Sequence, residues 1–180
     1  MARIAVVSYP ALDSAALHWI ESIRSQHDPQ AARIPPHFTL VFPVDAPLDV
    51  TGEIARVTTR HAPITFVIRS TIAMPDVVHG GAHVFAVPTE GRDQIARLHA
   101  ELYSGVLRPH LREDIAFVPH ITIAAHEDVG WCEAYAERLS GTLQPVRGVI
   151  ESVTVVGVTT TRIESLARYV LAMPSSSQPA

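Results

Sequence analysis

The sequence predicts an α+β fold built from two similar halves, and three observations carry that expectation. Short β-rich runs alternate with amphipathic helical stretches along the chain. The order β-α-β-α-β is met twice, with matched spacing. Ile4 precedes His37 by 33 positions and Val84 precedes His120 by 36, while Phe66 and Val149 each follow their histidine by 29. A five-residue phrase around each histidine is also repeated at the equivalent place. Two lobes about a pseudo-twofold axis fit this pattern; a coincidental alternation of average-length elements is the alternative.

The elements follow in order. Residues 4–9 form the first strand, and Asp13 caps a helix whose apolar face is Leu17, Ile20 and Ile23. An extended run at 38–44 precedes a helix at 53–60 and a long strand at 64–73. Gly80-Gly81 turns the chain into a strand at 83–87. A helix at 92–106 then sets Ile95, Leu98, Leu102 and Val106 on one side. After an extended run at 121–125, a helix at 131–139 carries Cys132, Ala136 and Leu139 inward. A long strand at 149–158 and a last one at 166–171 complete one domain over 1–173. The Pro- and Ser-rich tail at 174–180 is expected to be disordered.

Composition narrows the function. With 180 residues, 47% hydrophobic and 18% charged, the chain is long and apolar enough to bury a sizeable core. A net charge of −4 argues against a broad basic surface for long nucleic acid, though not against a small pocket for one phosphate. Cys132 is the only cysteine, so an internal disulfide and a CxxC zinc site are excluded. The apolar start is too short for a signal segment and no run approaches a membrane span, so a cytosolic protein is expected, without membrane or obligate protein partner. All 14 basic side chains are arginine. Without lysine there is no P-loop lysine and no lysyl-nucleotide intermediate, which removes ATP-charged RNA joining.

The repeated phrases are Pro36-His37-Phe38-Thr39-Leu40 and Pro119-His120-Ile121-Thr122-Ile123. Side chains two apart on a strand share a face. His37 and Thr39 therefore point one way while Phe38, Leu40 and Phe42 point into a core; His120 and Thr122 do the same opposite Ile121 and Ile123. Related lobes would bring two imidazoles and two hydroxyls onto one groove. One neutral and one protonated imidazole on opposite sides of phosphorus suit in-line displacement near neutral pH. The threonines can donate to the non-bridging oxygens. On their own, a strand histidine is usually structural and a strand threonine an ordinary β-former.

These paired HxTx phrases resemble the 2H phosphoesterase superfamily, most closely its bacterial 2′-5′ RNA ligase-like branch, which includes RNA 2′,3′-cyclic phosphodiesterases. The resemblance implies a bilobal fold with two antiparallel sheets forming a concave groove, helices outside, and no metal or other cofactor. It implies catalysis by His37, Thr39, His120 and Thr122, with His37 protonating the leaving oxygen and His120 activating water; the near-symmetry of the phrases does not itself fix that order. Many relatives carry an arginine soon after the second phrase, where this chain has Ala124 and Ala125. The expected substrate is a nucleotide or RNA end carrying a 2′,3′-cyclic phosphate. Three rivals remain open: 2′-5′ ligation or cleavage in the same groove without ATP, a non-catalytic nucleotide-binding module, and a histidine-lined metal hydrolase drawing on His79 and His83.

Further candidates are weaker on sequence grounds. Tyr9 and Phe85, on equivalent strands, are candidates to stack on a base, although core packing suits Phe85 better. Arg69 is a candidate for the groove or for a solvated surface. His126, six positions after His120, reaches the groove face only if the strand is unbroken.

Overall fold

In a computed structural model that describes residues 3–46, 49–77 and 80–172, the predicted alternation resolves into nine strands, four α-helices and one 3₁₀ turn among those residues. The first half supplies β1 (Arg3–Ser8), β2 (Ala11–Leu12), α1 (Ser14–His27), β3 (Phe38–Asp45), α2 (Thr51–Thr58) and β4 (Ile64–Pro75). The second supplies β5 (Ala82–Glu90), α3 (Arg92–Leu102), the 3₁₀ turn Gly105–His110, β6 (Ile121–His126) and α4 (Val129–Thr142). It ends with β7 (Val146–Ile150), β8 (Ser152–Val158) and β9 (Ile163–Val170). His79 and the tail at 174–180 lie outside the described residues.

Every strand pairing is antiparallel, in the order β2-β7-β4-β5-β6-β3-β1-β8-β9. Where two sheets were expected, a five-strand and a four-strand portion meet at the pair Phe38–Ile121. Each portion draws on both halves of the sequence. β4 from the first half pairs with β5 and β7, and β8 from the second pairs with β1.

Helix positions follow from local chemistry. Asp13 Oδ1 accepts from the Ala16 amide at 2.7 Å and Asp128 Oδ1 from the Trp131 amide at 3.2 Å, so side chains satisfy the open amides that begin α1 and α4. Ile20 of α1, Ile54 of α2, Ile95 and Leu98 of α3 and Cys132 of α4 are fully buried. They share one core cluster with Phe38, Leu40, Ile121 and Ile123 of the sheet. Phe38 also meets Phe66 edge-on, with ring centroids 5.1 Å apart. Because side chains alternate along a strand, this assigns the other face of β3 and β6 to Thr39 and Thr122. On that other face Ala5, Val7 and Val156 form a second, smaller apolar cluster.

Four sequence expectations are corrected. The run at 149–158 is two strands broken at Glu151, since β7 pairs with β4 and β8 with β1; Leu171 N–H donates to the Glu151 carbonyl at the break, at 2.8 Å. The helix at 92–106 ends at Leu102, and Val106 is 46% exposed. Gly105 has φ +53, outside the right-handed helical region, so the helix does not extend through it to Val106. In α1 the inner face is Ala16, Ile20, Ile23 and Arg24, with Leu17 exposed. Finally, Phe42 is only half-buried. The β1–β3 register slips twice (Ile4 opposite Val44, Val6 opposite Val41, Val7 opposite Thr39), so β3 bulges and buries both Leu40 and Val41.

Candidate active site

The two repeated phrases have the same burial pattern, residue for residue. Pro36, Phe38 and Leu40 are buried with His37 and Thr39 partly open; Pro119, Ile121 and Ile123 are buried with His120 and Thr122 partly open. The seam pair Phe38–Ile121 is antiparallel. One step further in register sets His37 towards Thr122 and Thr39 towards His120, all on the face opposite the core. The four side chains singled out in the sequence are thus brought together by one backbone pairing.

Each imidazole is aimed by a backbone carbonyl two residues earlier. His37 Nδ1–H donates to the Pro35 carbonyl at 2.8 Å, and His120 Nδ1–H to the Val118 carbonyl at 2.6 Å. A carbonyl only accepts, so the hydrogen sits on Nδ1 and Nε2 is left for a ligand. The shared proline, Pro36 or Pro119, fixes the backbone between carbonyl and ring. Burial lowers the pKa of both groups. For His120 it is pushed down to about 4, by burial first, with the Val118 carbonyl opposing and the charges of His37 and His83 adding to the fall. For His37 burial again leads; the Pro35 carbonyl opposes it, Arg24 lowers it further and Asp28 raises it.

The surroundings of the two rings differ. Phe85 lies flat on His120, with centroids 3.5 Å apart and planes at 12°, and His83 stacks beyond Phe85 at 5.9 Å. The Phe85 face offered to a base in the sequence reading is therefore taken by His120. The residue of β1 opposite Thr39 is Val7, where β5 sets Phe85 opposite Thr122. The smaller side chain leaves space: a cleft of about 680 Å³ runs from His37 and Thr39 over Val7 and Val156 to Arg3 and Arg33. Tyr9 stands edge-on to His37, with centroids 6.3 Å apart. A larger cleft of about 820 Å³, lined by Arg56, Arg60 and Arg97, lies between α2 and α3 and contains neither histidine.

Two candidates lie elsewhere. Arg69 is exposed and ion-paired to Glu90 at 2.9 Å, and does not line the His37 cleft. His126 is exposed at the far end of β6, where its Nδ1 accepts from the Asp128 amide and its ring stacks on Trp131 at 4.7 Å. Sequence reasoning missed Arg3 and Arg33, which had no motif, and Arg24, buried behind His37. The last did carry a signal: a charge at i+4 from Ile20, within an apolar stripe.

A family model described as the 2′-5′ RNA ligase superfamily matches residues 12–161, a span containing both phrases. The chain belongs to this superfamily, that of the 2H phosphoesterases. Among curated 2H relatives, a candidate phosphoesterase of Bacillus licheniformis is 34% identical over 107 residues, 57% of this chain and 60% of that protein. One from Geobacillus kaustophilus is 31% identical over 102 residues, 57% and 58% of the two chains. The chain thus spans about three fifths of the length of these relatives. Among solved structures, Escherichia coli LigT complexed with 3′-AMP superposes with a TM-score of 0.59 at 17% identity, over 95% of this chain and 98% of that one. LigT complexed with ATP gives 0.56 at 19%, over 95% and 98%. The fold is thus shared with this 2H protein: an antiparallel sheet carrying a few helices.

Proposed function

We propose that this 2H protein is a metal-independent phosphodiesterase that opens 2′,3′-cyclic phosphates on nucleotides or RNA ends. The carrying observation is the matched pair of imidazoles, each held at Nδ1 by a carbonyl and each with Nε2 directed away from that anchor. In the reaction, His120 Nε2 takes a proton as a water oxygen attacks phosphorus. The bond from phosphorus to one ribose oxygen breaks, and that oxygen leaves with the Nε2 proton of His37, which enters the step as the imidazolium and ends it neutral. Thr39 and Thr122 donate to the non-bridging oxygens as charge builds there, and by family analogy the product carries a 2′-phosphate.

The difference between the two sides supports this order of roles. The leaving oxygen stays on the ribose, so the acid belongs on the side with room for a nucleoside. That side is His37, which opens onto the cleft over Val7 and Val156. The base needs room only for water and must be neutral at working pH. His120, covered by Phe85 and held near 4, meets both needs. LigT structures holding 3′-AMP and ATP support a nucleotide as ligand.

The test is turnover of nucleoside 2′,3′-cyclic phosphates and short cyclic-phosphate RNAs in excess EDTA, with His37→Ala and His120→Ala alongside. Turnover that ignores EDTA and disappears in both variants is expected. Activity abolished by EDTA and restored by zinc or manganese would replace the proposal with a metal hydrolase. Joined rather than hydrolysed product from RNA halves would replace it with 2′-5′ ligation. Binding without turnover, surviving both substitutions, would mean a binding module.

A further inference from the structure

We propose that the buried Arg24–Asp28 pair positions His37 and sets the charge around it, a device with no counterpart behind His120 among the described residues. The inference rests on His37 working as proposed above. Arg24 lies on the inner face of α1, where an apolar residue is expected, and is 1% exposed. A guanidinium is tolerated there only with partners, and an apolar side chain of similar size generally packs as well or better. Its presence calls for a role that packing does not supply.

The partners point to one. Arg24 Nε–H donates to Asp28 Oδ2 at 2.8 Å, and Nη2–H donates to the Ile34 carbonyl at 2.7 Å. Asp28 Oδ1 accepts from the Gln30 amide at 2.8 Å, so the same carboxylate folds the start of the segment that Arg24 closes. From Ile34 the chain runs Pro35-Pro36-His37, two residues with fixed φ. The carbonyl gripped by Arg24 is therefore one rigid residue from the Pro35 carbonyl that aims His37. Arg24 Nη1 has no hydrogen-bond partner but is ion-paired to Glu21 Oε1 at 3.5 Å, so the guanidinium faces two carboxylates, Asp28 and Glu21.

The segment before His120 is braced by rings instead. Phe117 lies flat on His99, centroids 3.6 Å apart, and His99 Nδ1–H donates to the Leu40 carbonyl at 2.8 Å. The charged or titratable groups around His37 are Arg24 and Asp28 behind it, Tyr9 at its edge, His120 across the seam, and Arg3, Arg33 and Asp45 along the cleft. Arg24 opposes a proton on His37 and Asp28 favours it, so the two are separable by experiment.

The experiment is an NMR titration of His37 in wild type, Asp28→Asn and Arg24→Gln. Asp28→Asn should lower the midpoint and Arg24→Gln should raise it. Movement in the same direction, or none, would overturn the inference, because a pair that only supports the fold has no reason to act with opposite signs. If Arg24→Gln does not fold, Arg24→Lys retains the charge with fewer hydrogen bonds. It should leave the midpoint in place while His37 Nδ1–H exchanges about tenfold faster, and unchanged exchange overturns the positioning role. A midpoint in Asp28→Asn at or above wild type overturns the charge role whatever the Arg24 variants do. The titration needs no substrate, so failure of cyclic-phosphate turnover would remove the proposed function without deciding this inference.

Discussion

An imidazole whose Nδ1–H is held by a carbonyl keeps one nitrogen for chemistry, and both His37 and His120 are in that state. His37→Ala and His120→Ala should each lower kcat about 10²–10⁴-fold, measured on a 2′,3′-cyclic phosphate with folding checked by circular dichroism. Phe85 has a different effect. Its ring helps exclude water from His120, and exclusion of water lowers the pKa of a cation. Phe85→Ala should therefore let the His120 pKa rise from about 4 towards its ordinary value, and move the acid limb of the kcat/KM profile up with it. Activity near pH 5 would fall more than activity near pH 8. A limb that stays in place would show that Phe85 does not set the desolvation of the base. At this scale the two His-Thr pairs were legible because a repeated phrase is local. Phe85 on His120, and Arg24 behind His37, were not, because each depends on the neighbour that another strand or loop supplies.

Among the elements, turns and caps carry the sharpest tests. Gly91, at the junction of β5 and α3, has φ +78, and a Cβ there would lie 2.3 Å from the Thr65 carbonyl oxygen. That contact is backbone and cannot swing away. Gly91→Ala should destabilise by roughly 3 kcal/mol, lowering Tm by about 6–12 °C in calorimetry. Asp13→Ala removes the side-chain cap of α1 and should cost about 1 kcal/mol in chemical denaturation. Element order was largely legible, since apolar spacing of 3.6 or 2 reports directly on helix or strand. The failures have physical causes: the helix stops at Leu102 and Gly105 at positive φ keeps it from reaching Val106, although the apolar pattern continues, and the bulge in β3 broke the alternation at Phe42. The break at Glu151 was hidden because β7 and β8 are both apolar and only their partners differ.

For the whole molecule, histidines desolvated by the fold tie stability to pH. His120 titrates near 4 when folded and at its ordinary 6.5 when unfolded, so between these values the unfolded chain binds more protons and stability rises with pH. His37 and His99 are shifted in the same direction and act in the same sense. Their stabilities are intact above about pH 6.5 and are lost as pH falls, with roughly 3 kcal/mol lost from His120 alone by pH 4. Urea midpoints across pH 4–8 would test this, and a midpoint independent of pH would refute it. The exchange of strands between portions also ties the halves together, so heat should unfold them in one transition, with calorimetric and van't Hoff enthalpies equal. The pairing of β1 with β8 has a consequence in time as well. During synthesis β1 leaves the ribosome well before β8, and Val6 must wait for Val155 before that edge is closed. Until then an apolar strand stands open beside the unfinished cleft, a hazard for a nascent chain and a reason for slow closure. β1 is thus made long before its last neighbour arrives, and a chain stopped before β8 would hold both histidines without Val156, which shares with Val7 the floor of the cleft beside His37.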